Sequence, residues 1–308
     1  MIKPKRLQAG DTIGLIAPSS PIAEGKVEAG VKKLMEMGFK VEIGKTAYSN
    51  YSYLAGDDEL RAKEINDMFC NKDIDGIICL RGGYGTPRIL NLLDYEMIKN
   101  NPKVFVGYSD ITALHTAFNQ LSDLVTFHGP MVASDMSGNF SDFSRRSLLN
   151  TIFNEDFNPL IENESKGIVT INPGIAEGPI IGGNLSLLVS TIGTPYEIDT
   201  KGKILFIEEI GEYTYKLDRM ITQLKISNKF EDVEGIILGD FNNCVPEEEG
   251  EFTLEELIDD LIKPLNKPTI SNLQAGHCEP VITIPFGVDT RLDATNGEIT
   301  ILEEPTLK

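Results

Sequence analysis

The sequence predicts an α/β protein. An N-terminal Rossmann-like, doubly wound parallel sheet spans residues 1–155, a linker 156–178, and a smaller C-terminal α/β domain 179–308. Three observations predict it. Strand-length apolar runs alternate with amphipathic helical segments through the first half, the mark of parallel βαβ units. After about Asn154 that pattern dissolves into Asn, Glu, Pro and Gly, as in a connecting segment. Finally, 308 residues that are 41% hydrophobic favour two modest cores over a single one.

Each element has its own justification. Thr12–Ala17 is a short apolar strand that ends in the loop Pro18-Ser-Ser-Pro21. Glu24–Met37 sets Val27, Val31, Leu34 and Met35 at helical spacing, and Gly38 stops it. Lys40–Ile43 is a second strand, and Asp57–Asn71 a helix with Leu60, Ile65, Met68 and Phe69 on one side. Gly76–Leu80 is a strand running into Arg81-Gly-Gly-Tyr-Gly85. Lys103–Val106 is a strand that breaks at Gly107 into a turn at Ser109 and a helix over Ile111–Leu121; Leu124–Phe127 is a further strand. In such sheets ligands bind outside the carboxyl ends of the strands, where the Pro-Ser-Ser-Pro, Arg-Gly-Gly-Tyr-Gly and Gly-Tyr-Ser-Asp loops all fall. The second half opens at Gly182–Gly193. It continues as strand Lys203–Ile207, helix Tyr213–Ile226, strand Gly235–Leu238, helix Leu254–Ile262, and strands near Pro268–Ile270 and Ile282–Pro285.

Bulk properties exclude several function classes. With 28 basic and 47 acidic residues the formal charge is −19, which repels nucleic acid and anionic membranes and argues against both as partners. No apolar run is long enough to span a bilayer, and the basic N-terminus lacks an apolar core of signal-peptide length. Cys70, Cys79, Cys244 and Cys278 are widely spaced and read as reduced thiols, so a cytoplasmic location is expected. The acidic run Glu247–Glu251 reads as a solvated loop. Metal-ligand spacing is absent, as are the dinucleotide fingerprint and a P-loop lysine, so no metal or cofactor is expected.

The residues that carry chemistry begin with Ser109. A serine on a sharp strand-to-helix turn has an exposed hydroxyl beside unpaired helix N–H groups, the setting of an acyl-transfer nucleophile. Ser and Asp are also common N-caps, so Ser109 or Asp110 capping the helix stands as the alternative. A hydroxyl nucleophile needs a base, usually histidine oriented by a carboxylate. Of the three histidines, His115 faces away on the same helix as Ser109 and reads as packing. His128 ends a strand near the expected site edge and is a runner-up. His277, in a glycine-flanked loop of the second domain, is the freest candidate. Glu208 and Glu209, at the end of an apolar strand, can orient an imidazole or cap the following helix. The glycine loop at 81–85 can cradle a phosphate or bring a backbone N–H to an oxyanion, with the Asp110 N–H as second donor.

Taken together these motifs identify a family. Leu7–Ser19 (LQAGDTIGLIAPS), Ala55–Arg61 (AGDDELR), Leu80–Gly85 (LRGGYG), Val106–His115 (VGYSDITALH), Phe127–Pro130 (FHGP), Gly182–Ser186 (GGNLS), Leu205–Glu212 (LFIEEIGE) and Gly276-His277 occur in order over essentially the whole chain. The chain resembles the LD-carboxypeptidases, serine peptidases that include the microcin C immunity peptidases. The resemblance implies a Ser109–His277–Glu208 triad, with Glu209 as the neighbouring alternative acid, and an oxyanion hole from the N–H groups of Asp110 and Gly83. It also implies a site between the two domains and a homodimer. The implied substrate is a murein tetrapeptide in cell-wall recycling, from which the enzyme releases the terminal D-Ala across an L,D bond. Arg81 and Tyr84 are then candidate substrate-binding residues, Arg81 for the terminal carboxylate. The immunity peptidases carry a different glycine loop, which favours the murein substrate over a peptide–nucleotide antibiotic. A non-catalytic protein that only binds its ligand is the alternative from another class.

Overall fold

The computed structural model describes residues 1–153 and 157–308, and the chain divides into two compact units. The first comprises Met1–Phe157, Thr283–Gly287 and Glu304–Lys308; the second, Asn158–Ile282 and Val288–Glu303. In chain order the first unit contributes β1 (Thr12–Ile16), α1 (Lys26–Glu36), β2 (Lys40–Ile43), α2 (Asp58–Cys70) and β3 (Gly76–Cys79). It continues with α3 (Tyr95–Lys99), β4 (Val104–Gly107), α4 (Thr112–Leu121), β5 (Thr126–His128) and α5 (Asp142–Ile152). The second unit supplies β6 (Leu160–Ile161), β7 (Val169–Asn172), β8 (Ile175–Asn184), α6 (Leu185–Ser190) and β9 (Ile204–Ile210). It goes on through α7 (Thr214–Ile226), β10 (Gly235–Asn242), α8 (Leu254–Leu261) and β11 (Thr269–Ser271). After them β12 (Ile284–Phe286) belongs to the first unit, and β13 (Asp289–Asp293) and β14 (Glu298–Ile301) to the second.

The first sheet has the order β12-β5-β4-β3-β1-β2, parallel from β5 to β2, with β12 antiparallel at the edge. The order reverses between β1 and β3, so this is the switch point at which a doubly wound sheet takes its ligand. Strand β4 reads Val-Phe-Val because it is buried on both faces. Behind it Phe118 packs edge to face on Phe69 and Phe105, at centroid distances of 5.4 and 4.9 Å, and those two rings stack at 6.0 Å. Burial of each ring contributes roughly 2–3 kcal/mol. Asp57 caps α2 by accepting from the Leu60 N–H at 2.8 Å, so this helix starts one residue inside the expected boundary.

The second sheet runs β6-β14-β13-β8-β9-β10-β11-β7, parallel from β8 to β11 and antiparallel outside them. Its core gathers Leu205, Ile207, Leu217, Ile221, Leu224 and Ile236 from β9, α7 and β10. Two expectations differ from this arrangement. Residues expected as linker carry β6, β7 and the start of β8, because the edge pairings with β14, β11 and β13 satisfy their backbone; the expected boundary at 155/156 lies outside the described residues. Residues 283–287 and 304–308, expected in the C-terminal domain, join the first unit, where β12 pairs with β5. Among the described residues no helix is long and apolar enough to cross a membrane.

Candidate active site

The parallel registers Ile16↔Cys79, Ile78↔Val106 and Gly107↔His128 bring the carboxyl ends of β1, β3, β4 and β5 to one edge. The loops 18–21, 81–85 and 108–110 leave from there, as expected. Ser109 sits two residues past the end of β4 with φ 64°, the left-handed region that costs a non-glycine residue of order 1 kcal/mol or more. A single 3₁₀ turn, Ser109–Ile111, then leads into α4. This strained, half-exposed serine is the nucleophile-elbow geometry.

The capping alternative fails for both residues. No side chain caps the turn or α4. Asp110 instead accepts Ser19 Oγ at 2.6 Å and the Thr86 N–H at 2.9 Å on one carboxylate oxygen, and its carbonyl accepts Thr86 Oγ1 at 2.5 Å. It is 1% exposed and cross-links all three loops beneath the serine. Gly82 lies directly against the turn: a Cβ there would stand 2.9 Å from Ser109 Cβ and 3.0 Å from Oγ. Only glycine lets the loop backbone come this close. Gly83, at φ 117°, faces Ser20, whose Oγ receives the Tyr84 N–H at 3.1 Å. Asp110 N is one of the first-turn donors that a short helix leaves without an internal acceptor.

Arg81 is the residue expected to meet a substrate carboxylate. Its Nη1 donates to the Pro21 carbonyl at 3.0 Å and its Nε to the Gly82 carbonyl at 3.2 Å, so it braces two loops. Tyr84 is 52% exposed. Sequence reasoning left one residue in this region without a role. Arg61, fully buried, donates from Nη1 to the carbonyls of Pro18 (2.5 Å) and Gly85 (2.9 Å) and from Nε to that of Gly56 (3.2 Å). Asp58 neutralises it at 2.5 Å, while burial pulls the guanidinium pKa below its ordinary value. In sequence Arg61 closes the AGDDELR motif, but nothing there shows that its guanidinium is buried.

Both histidines of the first unit are fully buried. His115 is fully buried against Phe105 and Phe286, and its Nε2–H donates to the Gly107 carbonyl at 2.8 Å. Burial holds its pKa down at about 4, so it stays neutral. His128 is equally buried, among the rings of Tyr108, His115 and Phe286.

In the second unit Glu208 and His277 meet. Glu208, 0% exposed, aligns with Asn184 across β8 and β9, and its Oε2 accepts the His277 Nδ1–H at 2.6 Å. The bond fixes the tautomer and the ring plane. Burial pushes the Glu208 carboxyl above its ordinary range, while the bond to His277 opposes that shift. The Gly-His spacing has a steric reason. Gly276 adopts φ 108°, and a Cβ there would fall 2.7 Å from both Cβ and Oε2 of Glu208. The His277 carbonyl accepts Asn242 Nδ2 at 2.5 Å, and Gln274 ties the same loop to Glu164 and Ser165. Glu209, on the opposite face of β9, is committed elsewhere. Its oxygens accept Asn184 Nδ2, Ile210 N, Ser186 N and Ser186 Oγ at 2.7–2.9 Å, which secures the first turn of α6. Strand alternation thus separates the two acids: 208 orients a histidine and 209 braces a helix.

Among the described residues no group of His, Cys, Asp and Glu is arranged to hold a metal ion. A Ser on a strained turn, together with a His held by a buried carboxylate, is the equipment of acyl transfer through an alkoxide-like nucleophile.

Comparison with known proteins agrees. The LD-carboxypeptidase N-terminal domain matches residues 13–129 and the LD-carboxypeptidase C-terminal domain residues 177–292. A Bacillus subtilis (strain 168) protein named "Probable murein peptide carboxypeptidase" is 42% identical over 97% of this chain and 94% of its own length. Among solved structures, MccF in complex with glutamyl sulfamoyl guanosine matches with a TM-score of 0.91 at 27% identity, covering 100% of both chains. Muramoyltetrapeptide carboxypeptidase from Oxalobacter formigenes matches with a TM-score of 0.83 at 28% identity, covering 96% of this chain and 100% of that one. With both domains of the family matched along it, the chain belongs to the LD-carboxypeptidases and is a serine carboxypeptidase.

Proposed function

We propose that Ser109, His277 and Glu208 form the catalytic triad of an LD-carboxypeptidase that removes the terminal D-Ala from murein tetrapeptides. The observation that supports this reading is the 2.6 Å bond from His277 Nδ1 to buried Glu208, which leaves Nε2 as the ring nitrogen available to take a proton. His277 Nε2 takes the Ser109 proton as Oγ attacks the scissile carbonyl carbon, and Glu208 stabilises the imidazolium. The N–H groups of Asp110 and Gly83 receive the oxyanion. His277 then passes its proton to the D-Ala nitrogen, the C–N bond breaks, and the tripeptide remains as an ester on Ser109. Water, deprotonated by His277, attacks that ester and restores the Ser109 hydroxyl. A partner is needed only as substrate; the reading invokes no metal or cofactor. Arg81 retains guanidinium N–H groups beyond the two spent on loop carbonyls, and these can receive the terminal carboxylate.

The likeness to MccF favours a second reading, cleavage of a peptide–nucleotide antibiotic by the same triad. The two separate by mass spectrometry of purified protein with a synthetic tetrapeptide and with an aminoacyl sulfamoyl nucleoside, each beside Ser109→Ala. Loss of one D-Ala with wild type alone supports the murein reading. Cleavage of the nucleoside conjugate only would replace it with the second, and equal activity in Ser109→Ala would remove the nucleophile.

A further inference from the structure

Two large aromatic side chains near Ser109 stand in solvent. Tyr53 is 57% and Tyr84 52% exposed, and their rings touch edge to face with centroids 5.6 Å apart. Single exposed aromatics are ordinary on a protein surface; this pair is set apart by the loops that hold it. Tyr53 rides a tight hairpin closed by reciprocal backbone bonds between Tyr51 and Leu54 at 2.8 and 3.1 Å, with Ser52 at φ 60° and Leu54 buried beneath. The Ala55 N–H ties that hairpin to the Ser19 carbonyl at 2.9 Å. Tyr84 is held by the bond from its N–H to Ser20 Oγ. Arg61 grips the carbonyls of Gly56 and Gly85, just beyond each tyrosine. Both rings are therefore mounted on the same loops that support Asp110 and Ser109. Tyrosine supplies broad contact area at little conformational cost, and prior fixation lowers that cost further.

We infer that Tyr53 and Tyr84 form an aromatic subsite that receives a pyranose ring on the amino-terminal side of the peptide. The inference rests on the murein reading above. Its reach follows from the glycine loop. Gly82 touches Ser109, and Tyr84 lies two residues further along, a span of at most about 7 Å before the ring itself begins. A carboxypeptidase has a single residue on its leaving side, so a group several ångströms from Ser109 along this loop meets the acyl side. On a muropeptide that side is a short stem with no ring of its own, followed by a sugar. The flat C–H face of the sugar suits an aromatic face, and its hydroxyls suit the tyrosine O–H groups.

The test is steady-state kinetics of wild type, Tyr53→Ala, Tyr84→Ala and both Phe variants on a free tetrapeptide and on its disaccharide conjugate. Wild type is expected to bind the conjugate with a KM about tenfold lower than the free peptide. Either Ala variant erases that advantage, Tyr53→Ala with kcat on the conjugate changed less than about twofold, and the Phe variants retain most of it. Equal KM values for the two substrates in wild type, or an Ala effect of the same size on both, would overturn the subsite while leaving the carboxypeptidase reading intact. Failure of wild type to cleave either substrate would overturn both together.

Discussion

The Ser109 turn and the His277 loop, the two regions that supply the proposed nucleophile and base, fix a side chain by opposite means. Ser109 is placed by its backbone: a left-handed φ, the close approach of Gly82, and the three-loop cross-link made by Asp110. Its side chain is half-exposed. His277 is placed by its side chain, through one bond to a carboxylate with no exposed surface, on a loop whose Gly276 permits the approach. In the proposed triad Ser109 would have to turn freely between proton donor and acyl carrier, which suits a mounting remote from Oγ. His277 would have to present one tautomer throughout, which suits a mounting on the ring itself.

This contrast can be broken most forcefully at the paired acids. Glu208→Gln should leave the fold intact and lower kcat by about 10³–10⁴, because the amide no longer selects the Nδ1–H tautomer. Glu209→Gln should keep kcat within about tenfold of wild type and lose about 1–3 kcal/mol of stability, since an NH₂ would face the Ser186 N–H. Kinetics beside urea titrations separate the two, and the reverse pattern would exchange the roles of the acids.

A smaller effect is expected at Gly276. Gly276→Ala places a methyl against Glu208 Cβ and Oε2 and strains φ 108°, so the His277–Glu208 bond should lengthen. A fall in kcat of about 10–100-fold with little change in KM is the expected result. A rise in KM alone would detach the loop from the chemistry.

The smallest effect concerns His115, which sharpens the comparison from beneath the nucleophile. Its folded pKa is about 4 against an ordinary 6.5, so the unfolded chain binds a proton first on acidification. Its contribution is present above pH 6.5 and is lost as pH falls towards 4, about 2 kcal/mol between pH 7 and pH 5. In His115→Gln the urea midpoint should change less over that interval than in wild type. An identical change in both proteins would mean that other groups carry the acid sensitivity.

Much of this architecture was legible in the sequence where burial is symmetrical and contacts are local. β4 reads as a strand because both faces are apolar, and α2 announces itself with Asp57. β13, Asp-Thr-Arg-Leu-Asp, gave no such signal, since only Thr290 and Leu292 are buried and its partners β8 and β14 are set by long-range pairing. α5 passed unnoticed even though Ser141 caps it. In the site, the Gly-Tyr-Ser-Asp turn was readable but the left-handed φ of Ser109 was not. The choice between Glu208 and Glu209 depends on which face of β9 each acid takes, and a strand buried on both sides hides that in sequence. The bracing role of Arg61 was hidden too, because two of its carbonyl partners, Pro18 and Gly85, lie on loops distant in sequence.

The central claim of the proposal, that Ser109 and His277 act together in one triad, is tested most directly by non-additivity. kcat/KM on the tetrapeptide should be measured for Ser109→Ala, His277→Ala and the double variant. The account predicts that each single variant loses about 10⁴-fold or more and that the double variant loses no more than the worse single one. Losses that multiply in the double variant would mean that the two residues act independently and would contradict the triad.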